Sequence, residues 1–421
     1  MLHSRGACPF SGIAQVLRRN CVTVRATPTD PARPRMKAFP DVHYIDTPSA
    51  LVELCAELRD NPWFTLDTEF LREKTYYPGL CLLQVATPEL VACVDPLALE
   101  DLSPLLDVIY DAGIVKVMHA ARQDMEIFYH LRSALPSPVF DTQIAALLLG
   151  FPDQIGYGNL VRETLGIEIE KLHTRTDWSR RPLSEAQIRY AAEDVFYLAQ
   201  VYRHLIEKLT ELERLDWLSE DFARLTQVEL YSNDPAQAWL KVRGASRLKG
   251  AGLAVLQALA GWRETLAREL DRPRGWLLRD DDLVEISRHQ PRTLEALGDI
   301  RGLNERFVAR HGARLLALIA EARQRTPHPL PSVGQRLRLT PMQEALVDAL
   351  MAVVRASAAE HTLNPAVLAS RKQLEQLACG AQDSEVLHGW RGRLVGRQLQ
   401  ALLTGELGIY VRDGAIELST E

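Results

Sequence analysis

The segment that decides the fold is WFTLDTEFLREKTYYPGLCLLQVA, residues 63–86. It begins with a short apolar and aromatic run, Trp63–Phe70, that ends in acidic residues, and it closes with a second apolar run, Cys81–Ala86. Short apolar runs of this length are typical of buried β-strands. Residues two apart in a strand point to the same face, so Asp67 and Glu69 are expected to lie side by side.

The same pattern continues on both sides of this segment. Further strands are predicted at Leu90–Val94 and Ile114–Met118. Helical patterns occupy Ala50–Leu58, Arg122–Leu131, Thr142–Leu149 and Ser184–Leu209. Strands that cluster early and then alternate with helices favour one mixed sheet flanked by helices. We therefore predict an α/β domain over residues 36–215.

The rest of the chain shows almost no strand pattern. We predict a linker at 216–235, a helical bundle at 236–326, a proline-rich linker at 327–339 and a second bundle at 340–421. A weak repeat supports two related bundles, because Pro273, Leu283 and Ile286 recur 91–92 residues later as Pro365, Leu374 and Leu377. Residues 1–35 are rich in arginine and contain one acid, and we expect a disordered extension there.

Composition and charge narrow the class of protein. The chain has 421 residues, 47% hydrophobic and 25% charged, which is ordinary for globular domains and argues against a disulfide scaffold or a membrane span. Six scattered cysteines indicate a reducing, cytoplasmic compartment. Residues 36–215 carry a net charge of −12 and residues 230–330 one of +5. An acidic block repels nucleic acid, so it acts on a polyanion only if metal cations lie between the two. The alternative interpretation of this block is a solvated acidic surface without such a function.

Two further acids and a tyrosine join the acidic pair. Asp124 is predicted near the start of a helix, and Tyr190 and Asp194 are one helical turn apart. Each motif also has a structural alternative. For Asp67 and Glu69 it is a strand that runs out into an acidic loop, and for Asp124 it is a helix-start acid. For Tyr190 and Asp194 it is a core tyrosine beside a surface acid. Taken together, four acids and a tyrosine suit two-metal phosphodiester hydrolysis, because Mg²⁺ and Mn²⁺ prefer oxygen ligands.

At these residues the chain closely resembles the ribonuclease D family, 3′→5′ exoribonucleases of the DEDD superfamily with a tyrosine in the third motif. The stretches that carry the resemblance are LDTEFLREKTYYPGLCLLQ (66–84), HAARQDMEIF (119–128) with DTQ (141–143), and RTDWSRRPLSEAQIRYAAEDVFYL (175–198). The helical repeats resemble the helicase-and-ribonuclease-D C-terminal (HRDC) domain, and the second contains LASRKQLEQL (368–377).

The resemblance implies a ribonuclease-H-like α/β exonuclease domain followed by two all-α HRDC-type bundles. It also implies that two Mg²⁺ or Mn²⁺ ions are held by Asp67, Glu69, Asp124 and Asp194, with Asp67 bridging both, and that Tyr190 positions the attacking water. Glu69 is expected to contact the 3′-terminal hydroxyl as well. The implied products are 5′-nucleoside monophosphates, and the implied substrates are the 3′ ends of tRNA precursors and other structured RNAs. We expect a monomer with no membrane partner.

Other residues are candidates for RNA contact. Basic and aromatic residues after the first motif suit phosphate contact and base stacking, and loop packing is the alternative: Arg72, Lys74, Tyr76 and Tyr77. Arg175, Arg180 and Arg181 precede the third motif and suit steering of the backbone, unless they are only solvated. His119 either lines the active site or is a satisfied histidine at a strand end, and Asp141 is expected to cap the helix at Gln143.

The bundles carry the basic excess, in one cluster at 241–249 and another at 268–274. Phosphate contacts from such clusters give salt-sensitive affinity that does not depend on sequence; a helix surface laced with ion pairs is the alternative. Two other functions remain open, a proofreading-type exonuclease acting on DNA and a catalytically silent RNA-binding scaffold. A helicase is excluded, because no GxxxxGK[ST] phosphate loop occurs in the sequence.

Overall fold

A six-stranded mixed sheet forms the centre of the N-terminal half of the computed structural model, which describes residues 39–169, 176–329 and 339–420. Its strands are β1 (Val42–Ile45), β2 (Trp63–Leu71), β3 (Gly79–Ala86), β4 (Val91–Val94), β5 (Val115–Met118) and β6 (Val139–Asp141). The order across the sheet is β1-β4-β3-β2-β5-β6. Strand β3 is antiparallel to both of its neighbours, whereas β2, β5 and β6 run parallel.

Helices cover both faces of this sheet. They are α1 (Pro48–Arg59), α2 (Ser103–Ile109), α3 (Arg122–Arg132), α4 (Thr142–Leu147), α5 (Tyr157–Leu165) and α6 (Glu185–Glu211). On one face, Leu54 of α1 and Phe128 of α3 pack against the sheet in one apolar cluster. On the other face, Ala192 and Val195 of α6 pack against Leu82 of β3. The longest helix therefore lies directly over the central strands.

The first C-terminal bundle follows α7 (Leu218–Leu225) and a series of 3₁₀ turns. It consists of α8 (Gly250–Glu269), α9 (Arg274–Leu277), α10 (Asp280–His289), α11 (Leu294–Gly298) and α12 (Glu305–Ala322). Its apolar side chains form a cluster of their own, which includes Trp239, Leu256 and Leu315. This bundle has its own hydrophobic core.

The second bundle repeats the order of a long helix, a short proline-led helix and a third helix. Its elements are α13 (Pro341–Glu360), α14 (Pro365–Leu368), α15 (Arg371–Ala378), α16 (Gly389–Arg391) and α17 (Arg397–Thr404), followed by strands β7 (Gly408–Arg412) and β8 (Ala415–Ser419). Its apolar residues belong to the same cluster as those of α6 and α7. The rings of Trp217 and Trp390 stack at 4.6 Å across this contact.

The predicted fold class is confirmed, with one correction to the second bundle. That bundle is not wholly α-helical, because β7 and β8 form an antiparallel hairpin. Asp413 and Gly414 make the turn at φ +51° and +78°, the left-handed pair that a tight hairpin needs. Both strands are largely exposed, so they lack the buried apolar run used to predict strands.

The predicted domain limits stay predictions. The extension at 1–35 and most of the linker at 327–339 lie outside the described residues. The bundle that starts near residue 340 shares its hydrophobic core with the α/β domain. The predicted limit at residue 340 therefore separates two segments of the chain that pack together. Within the described ranges, every helix is too short or too polar to cross a membrane.

Candidate active site

The first two acids project from the middle of the sheet. Asp67 and Glu69 lie on one face of β2, the same face as Thr65, whose hydroxyl donates to the carbonyl oxygen of Val195 at 2.9 Å. That bond places both carboxylates beneath α6. The pairing of β2 with β3 shifts register between Glu69 and Phe70, so the strand bends just after the acids.

The third acid is held at the start of α3. The chain leaves β5 through Ala120, whose φ of +54° is left-handed. Asp141 stabilises this turn, because its carboxylate accepts the backbone N–H groups of Ala120 at 3.1 Å and Ala121 at 2.9 Å. It also accepts from the backbone of Gln143 at 2.8 Å, the cap that the sequence predicts. Asp124 follows in the first turn of α3, buried, and accepts a hydrogen bond from the Thr68 hydroxyl.

The fourth acid and the tyrosine come from α6. A capping box starts this helix: the Ser184 side chain accepts from the backbone of Gln187, and the Gln187 side chain accepts from the Ser184 backbone at 2.9 Å. Tyr190 and Asp194 then follow one turn apart, as predicted. The Tyr190 ring is stacked on Trp178 with centroids 6.3 Å apart.

The electrostatics show that these acids lie close together. Burial, together with the Asp194 charge, raises the pKa of Asp67 to about 8. Burial, with repulsion from Asp67, Asp194 and Asp124, raises the pKa of Glu69 to about 9. Burial and the Asp67 charge hold the pKa of Asp124 well above its usual range, and burial raises that of Asp194 to about 7. Four carboxylates from three elements thus repel one another in one site, where Asp124 is buried and Asp67, Glu69 and Asp194 are half-buried.

The donor set fits a divalent cation that prefers oxygen. One buried and three half-buried carboxylates supply hard ligands, and their mutual repulsion is the cost that bound positive charge would offset. Within the described ranges, no three acidic, histidine or cysteine side chains already enclose a space for an ion.

Two of the other predicted contacts stand beside α3. Arg72 forms a two-pronged salt bridge with Glu126 at 2.7 and 2.8 Å, two residues beyond Asp124. His119 has both ring nitrogens engaged, Nδ1 3.0 Å from the Thr142 hydroxyl and Nε2 3.1 Å from a backbone carbonyl oxygen. Both ring nitrogens of His119 therefore have hydrogen-bond partners in this structure, which agrees with the second interpretation given in the sequence analysis.

The tyrosines after the first motif meet the first bundle. Tyr76 is buried and its hydroxyl donates to Glu264 of α8. The backbone N–H groups of Tyr76 and Tyr77 donate to the Asp271 side chain at 2.9 and 3.0 Å. Tyr76 therefore packs within the loop, which is the alternative that the sequence analysis gives for it. Tyr77 is half-buried.

The arginines before α6 differ from one another. Arg181 is bound on both sides of its guanidinium by Asp95, with two contacts of 2.6 Å, and it also donates to the Cys81 carbonyl oxygen. Arg180 is exposed and pairs with Asp177 at 3.1 Å. Arg175 lies outside the described residues. Arg181 therefore has a structural role here, whereas Arg180 is exposed and is paired with Asp177 at the surface.

The basic clusters also divide into two kinds. In the cluster at 268–274, Arg274 pairs with Glu264 at 3.2 Å and Arg268 lies over the Tyr76 ring. In the cluster at 241–249, the exposed side chains of Arg243, Arg247 and Lys249 form no salt bridge with a described residue. The cluster at 241–249 therefore has three exposed cations without a described salt-bridge partner, and in the cluster at 268–274 Arg268 and Arg272 also form no salt bridge with a described residue.

Sequence reasoning missed three residues of the site. The hydroxyls of Thr68 and Tyr157 bind Asp124 and the backbone carbonyl oxygen of Asp194, respectively. Gln84 lies directly opposite Asp67 in the pairing of β2 with β3. The first motif contains Thr68 and Gln84, but only the strand register and the helix packing reveal what they face.

Comparison with known proteins gives the same assignment along most of the chain. Residues 42–210 match the 3′-5′ exonuclease family and residues 252–319 match the HRDC domain family. Ribonuclease D of Granulibacter bethesdensis is 40% identical over 393 residues, which cover 92% of this chain and 99% of that protein. Ribonuclease D of Gluconacetobacter diazotrophicus is 41% identical, covering 89% and 96%.

Solved structures agree with this assignment. The crystal structure of Escherichia coli RNase D, an exoribonuclease involved in structured RNA processing, is 34% identical with a TM-score of 0.75, and the match covers 87% of this chain and 99% of that one. The catalytic core of RRP6 from Trypanosoma brucei shares the fold at 22% identity and a TM-score of 0.54, over 75% of this chain and 85% of that one.

Proposed function

Since the chain belongs to the ribonuclease D family and is a 3′→5′ exoribonuclease, we propose that it removes nucleotides from RNA 3′ ends by a two-metal mechanism. Asp67, Glu69, Asp124 and Asp194 would hold the two Mg²⁺ or Mn²⁺ ions, with Asp67 between them. The ions would supply the activation of the attacking water and the charge that stabilises the leaving oxygen. The observation that carries this proposal is the set of four mutually repelling carboxylates in one site, where Asp124 is buried and the other three are half-buried.

Tyr190 is proposed to orient the attacking water. Its hydroxyl is carried one helical turn before Asp194, and the stacked Trp178 ring supports the tyrosine ring on one side. A fixed hydroxyl beside the terminal phosphate limits the directions from which water approaches. Glu69 is the second carboxylate on the same face of β2, and we assign it the contact with the 3′-terminal hydroxyl.

The proposed substrates are the 3′ ends of tRNA precursors and other structured RNAs, and the proposed products are 5′-nucleoside monophosphates. The exposed cations of the cluster at 241–249 would hold the backbone through contacts that do not depend on sequence. Arg180, which is exposed beside the start of α6, is the other candidate for such a contact. We propose that the protein acts as a cytoplasmic monomer.

Digestion of one RNA labelled at either end tests the direction, the product and the metal requirement together. With Mg²⁺ present, the 3′ label should appear at once as a mononucleotide, while the 5′-labelled strand should shorten one nucleotide at a time. EDTA should stop both reactions. Release of the 3′ label in longer fragments, or hydrolysis that persists in EDTA, would contradict the proposal.

A DNA strand of the same sequence is the matched control for the two rival functions. A proofreading-type enzyme would digest the DNA at least as fast as the RNA. A silent scaffold would release no label from either strand while still binding RNA. The proposed function requires rapid release from RNA and slower release from DNA.

A further inference from the structure

A pocket of about 360 Å³ lies where the α/β domain meets the first bundle. It is lined by aromatic and polar side chains from four segments: Tyr77 after β2, Tyr129 and His130 in the last turn of α3, Tyr231 and Asn233 before the bundle, and Arg268 of α8. The Tyr77 ring meets His130 edge to face at 4.5 Å. Bases of unpaired nucleic acid stack on aromatic side chains of this kind.

Three polar groups of this pocket are available to a ligand: two tyrosine hydroxyls and one guanidinium. The hydroxyls of Tyr77 and Tyr129 form no hydrogen bond with a described residue, although both rings are half-buried. The Arg268 guanidinium forms no salt bridge with any described residue; its one polar contact is the Tyr76 hydroxyl at 3.4 Å. Rings for a base and an unpaired cation for a phosphate are the two parts of nucleotide recognition.

The pocket is separate from the acid site and lies near the opposite end of α3. Asp124 lies in the first turn of α3 and Tyr129 in the last, roughly 8 Å further along the helix axis at 1.5 Å per residue. The salt bridge between Arg72 and Glu126 lies between them along the helix. This axial separation is short enough for an upstream nucleotide of a strand whose 3′ end is at the acids.

We propose that this pocket binds one unpaired nucleotide, with its base against Tyr77 and Tyr129 and its phosphate toward Arg268. The inference rests on the proposed function, because the ligand is of the same chemical class as substrate and product. The nucleotide is either part of the RNA strand or a released nucleoside monophosphate.

Binding of a fluorescent oligoadenylate in EDTA tests the pocket without hydrolysis, so failure of the catalytic proposal does not affect the result. Tyr77→Leu and Tyr129→Leu should each weaken binding about ten-fold, because stacking on an aromatic ring is lost. Tyr129→Phe keeps the ring and should retain affinity, as should Tyr410→Leu, which alters an exposed tyrosine in the C-terminal hairpin. If Tyr129→Leu fails to fold, oligoadenylate binding by Tyr77→Leu alone tests the pocket.

Calorimetric titration with 5′-AMP distinguishes the two sources of the nucleotide. Saturable AMP binding that Tyr77→Leu abolishes would assign the pocket to free nucleotide. Weaker oligoadenylate binding with no AMP binding would assign it to the RNA strand. Unchanged affinity of both leucine variants for both ligands would overturn the proposal.

A second inference concerns Gln84, in the centre of β3. Its side chain is fully buried, and neither atom of its amide forms a hydrogen bond with a described residue. Gln84 is paired with Asp67 of β2 on one side and with Cys93 of β4 on the other, so it projects onto the face that α6 covers. A buried amide without a partner destabilises a fold, and its presence beside a functional acid calls for a role.

We infer that Gln84 is a positioning residue: its unpaired Nε2–H group, opposite Asp67 on the same face of the sheet, would donate to the Asp67 carboxylate when the acids hold metal ions and would fix the direction of the other carboxylate oxygen. Carboxylates that ligate metal ions are themselves hydrogen-bonded in this way, and loss of such a partner lowers metal affinity. This inference also rests on the proposed function.

Gln84→Met tests the role because it keeps the length of the side chain and removes the donor. Calorimetry should show Mn²⁺ binding about ten-fold weaker, kcat should fall with KM for RNA unchanged, and Tm in EDTA should not decrease. Ser384→Ala is the matched control, because Ser384 is a buried hydroxyl without a described partner in the second bundle. Unchanged Mn²⁺ affinity with a lower Tm would overturn the inference. Gln84→Leu replaces the variant if it does not fold.

Discussion

The four acids destabilise the folded state when they are charged. Each is at least half-buried near another of them, and each has a raised pKa because burial and repulsion both disfavour the charged form. A raised carboxyl pKa means that the folded protein retains protons that the unfolded chain releases. The stability contribution is therefore complete below the ordinary carboxyl pKa near 4 and is lost as pH rises through the folded values.

Asp67→Asn should remove both the chemistry and part of this pH dependence. In EDTA, Tm of the wild type should fall between about pH 4, the ordinary carboxyl pKa, and about pH 9, the highest of the folded pKa values of about 7, 8 and 9. The variant should show a smaller fall, no hydrolysis, and nearly normal RNA binding. Asp153→Asn, at an exposed acid, should behave as the wild type. Near-normal turnover of Asp67→Asn with Mg²⁺ would refute the site assignment.

Tyr190→Phe should separate chemistry from binding. Removing the hydroxyl should slow single-turnover hydrolysis by at least about ten-fold, because the water is no longer oriented, while affinity for RNA stays the same. Tyr197→Phe, on the same helix but beyond Asp194, is the control and should keep the rate. An unchanged rate for Tyr190→Phe would remove its proposed role.

The sequence predicted these five residues because they stand in recognisable motifs. It did not predict that Tyr76 would be buried against Glu264 or that Gln84 would face Asp67. Both depend on which strand or bundle comes to lie opposite, and a local pattern does not contain that information.

At the scale of elements, the long helix α6 links the sheet to the chemistry. It covers β2 and β3 with apolar residues and presents Tyr190 and Asp194 from its second and third turns. The sequence predicted this helix within two residues at its C-terminal end, because its apolar period and capping signature are strong. It missed β6, which has three residues, and α5, which is short; neither has a run long enough to show a period.

Ser184→Ala should weaken α6 at its start. Loss of the capping box should lower the free energy of unfolding by about 1 kcal/mol. Ser370→Ala is the matched control, because Ser370 forms the same box with Gln373 at the start of α15, in the second bundle. Denaturant unfolding should give similar losses for both variants, and only Ser184→Ala should also reduce activity. No loss of stability for Ser184→Ala would contradict the role of the cap.

At the scale of the whole molecule, the two bundles meet the α/β domain differently. The second shares a hydrophobic core with α6 and α7, and Arg214 joins them by donating to the carbonyl oxygens of Leu148 and His361. The first has its own core and docks through polar contacts to the loop after β2. The sequence predicted two bundles from a repeat, but their unequal docking depends on side chains that meet only in the folded chain.

Replacing Arg243, Arg247 and Lys249 together by alanine should reduce RNA affinity and its salt dependence. Loss of three phosphate contacts should reduce the slope of log K against log salt by about 2. The control removes three arginines that are already paired with acids, Arg288, Arg325 and Arg371. Binding isotherms at several salt concentrations measure the slope, and an identical slope for the first variant would show that this cluster does not bind the RNA.

The central claim is that carboxylates far apart in the sequence hold two divalent ions. Anomalous diffraction from a crystal soaked in Mn²⁺ tests it most directly. The account predicts two anomalous peaks about 4 Å apart, with Asp67 contacting both and Glu69, Asp124 and Asp194 around them. Side chains that stay apart, with no anomalous density between them, would contradict it.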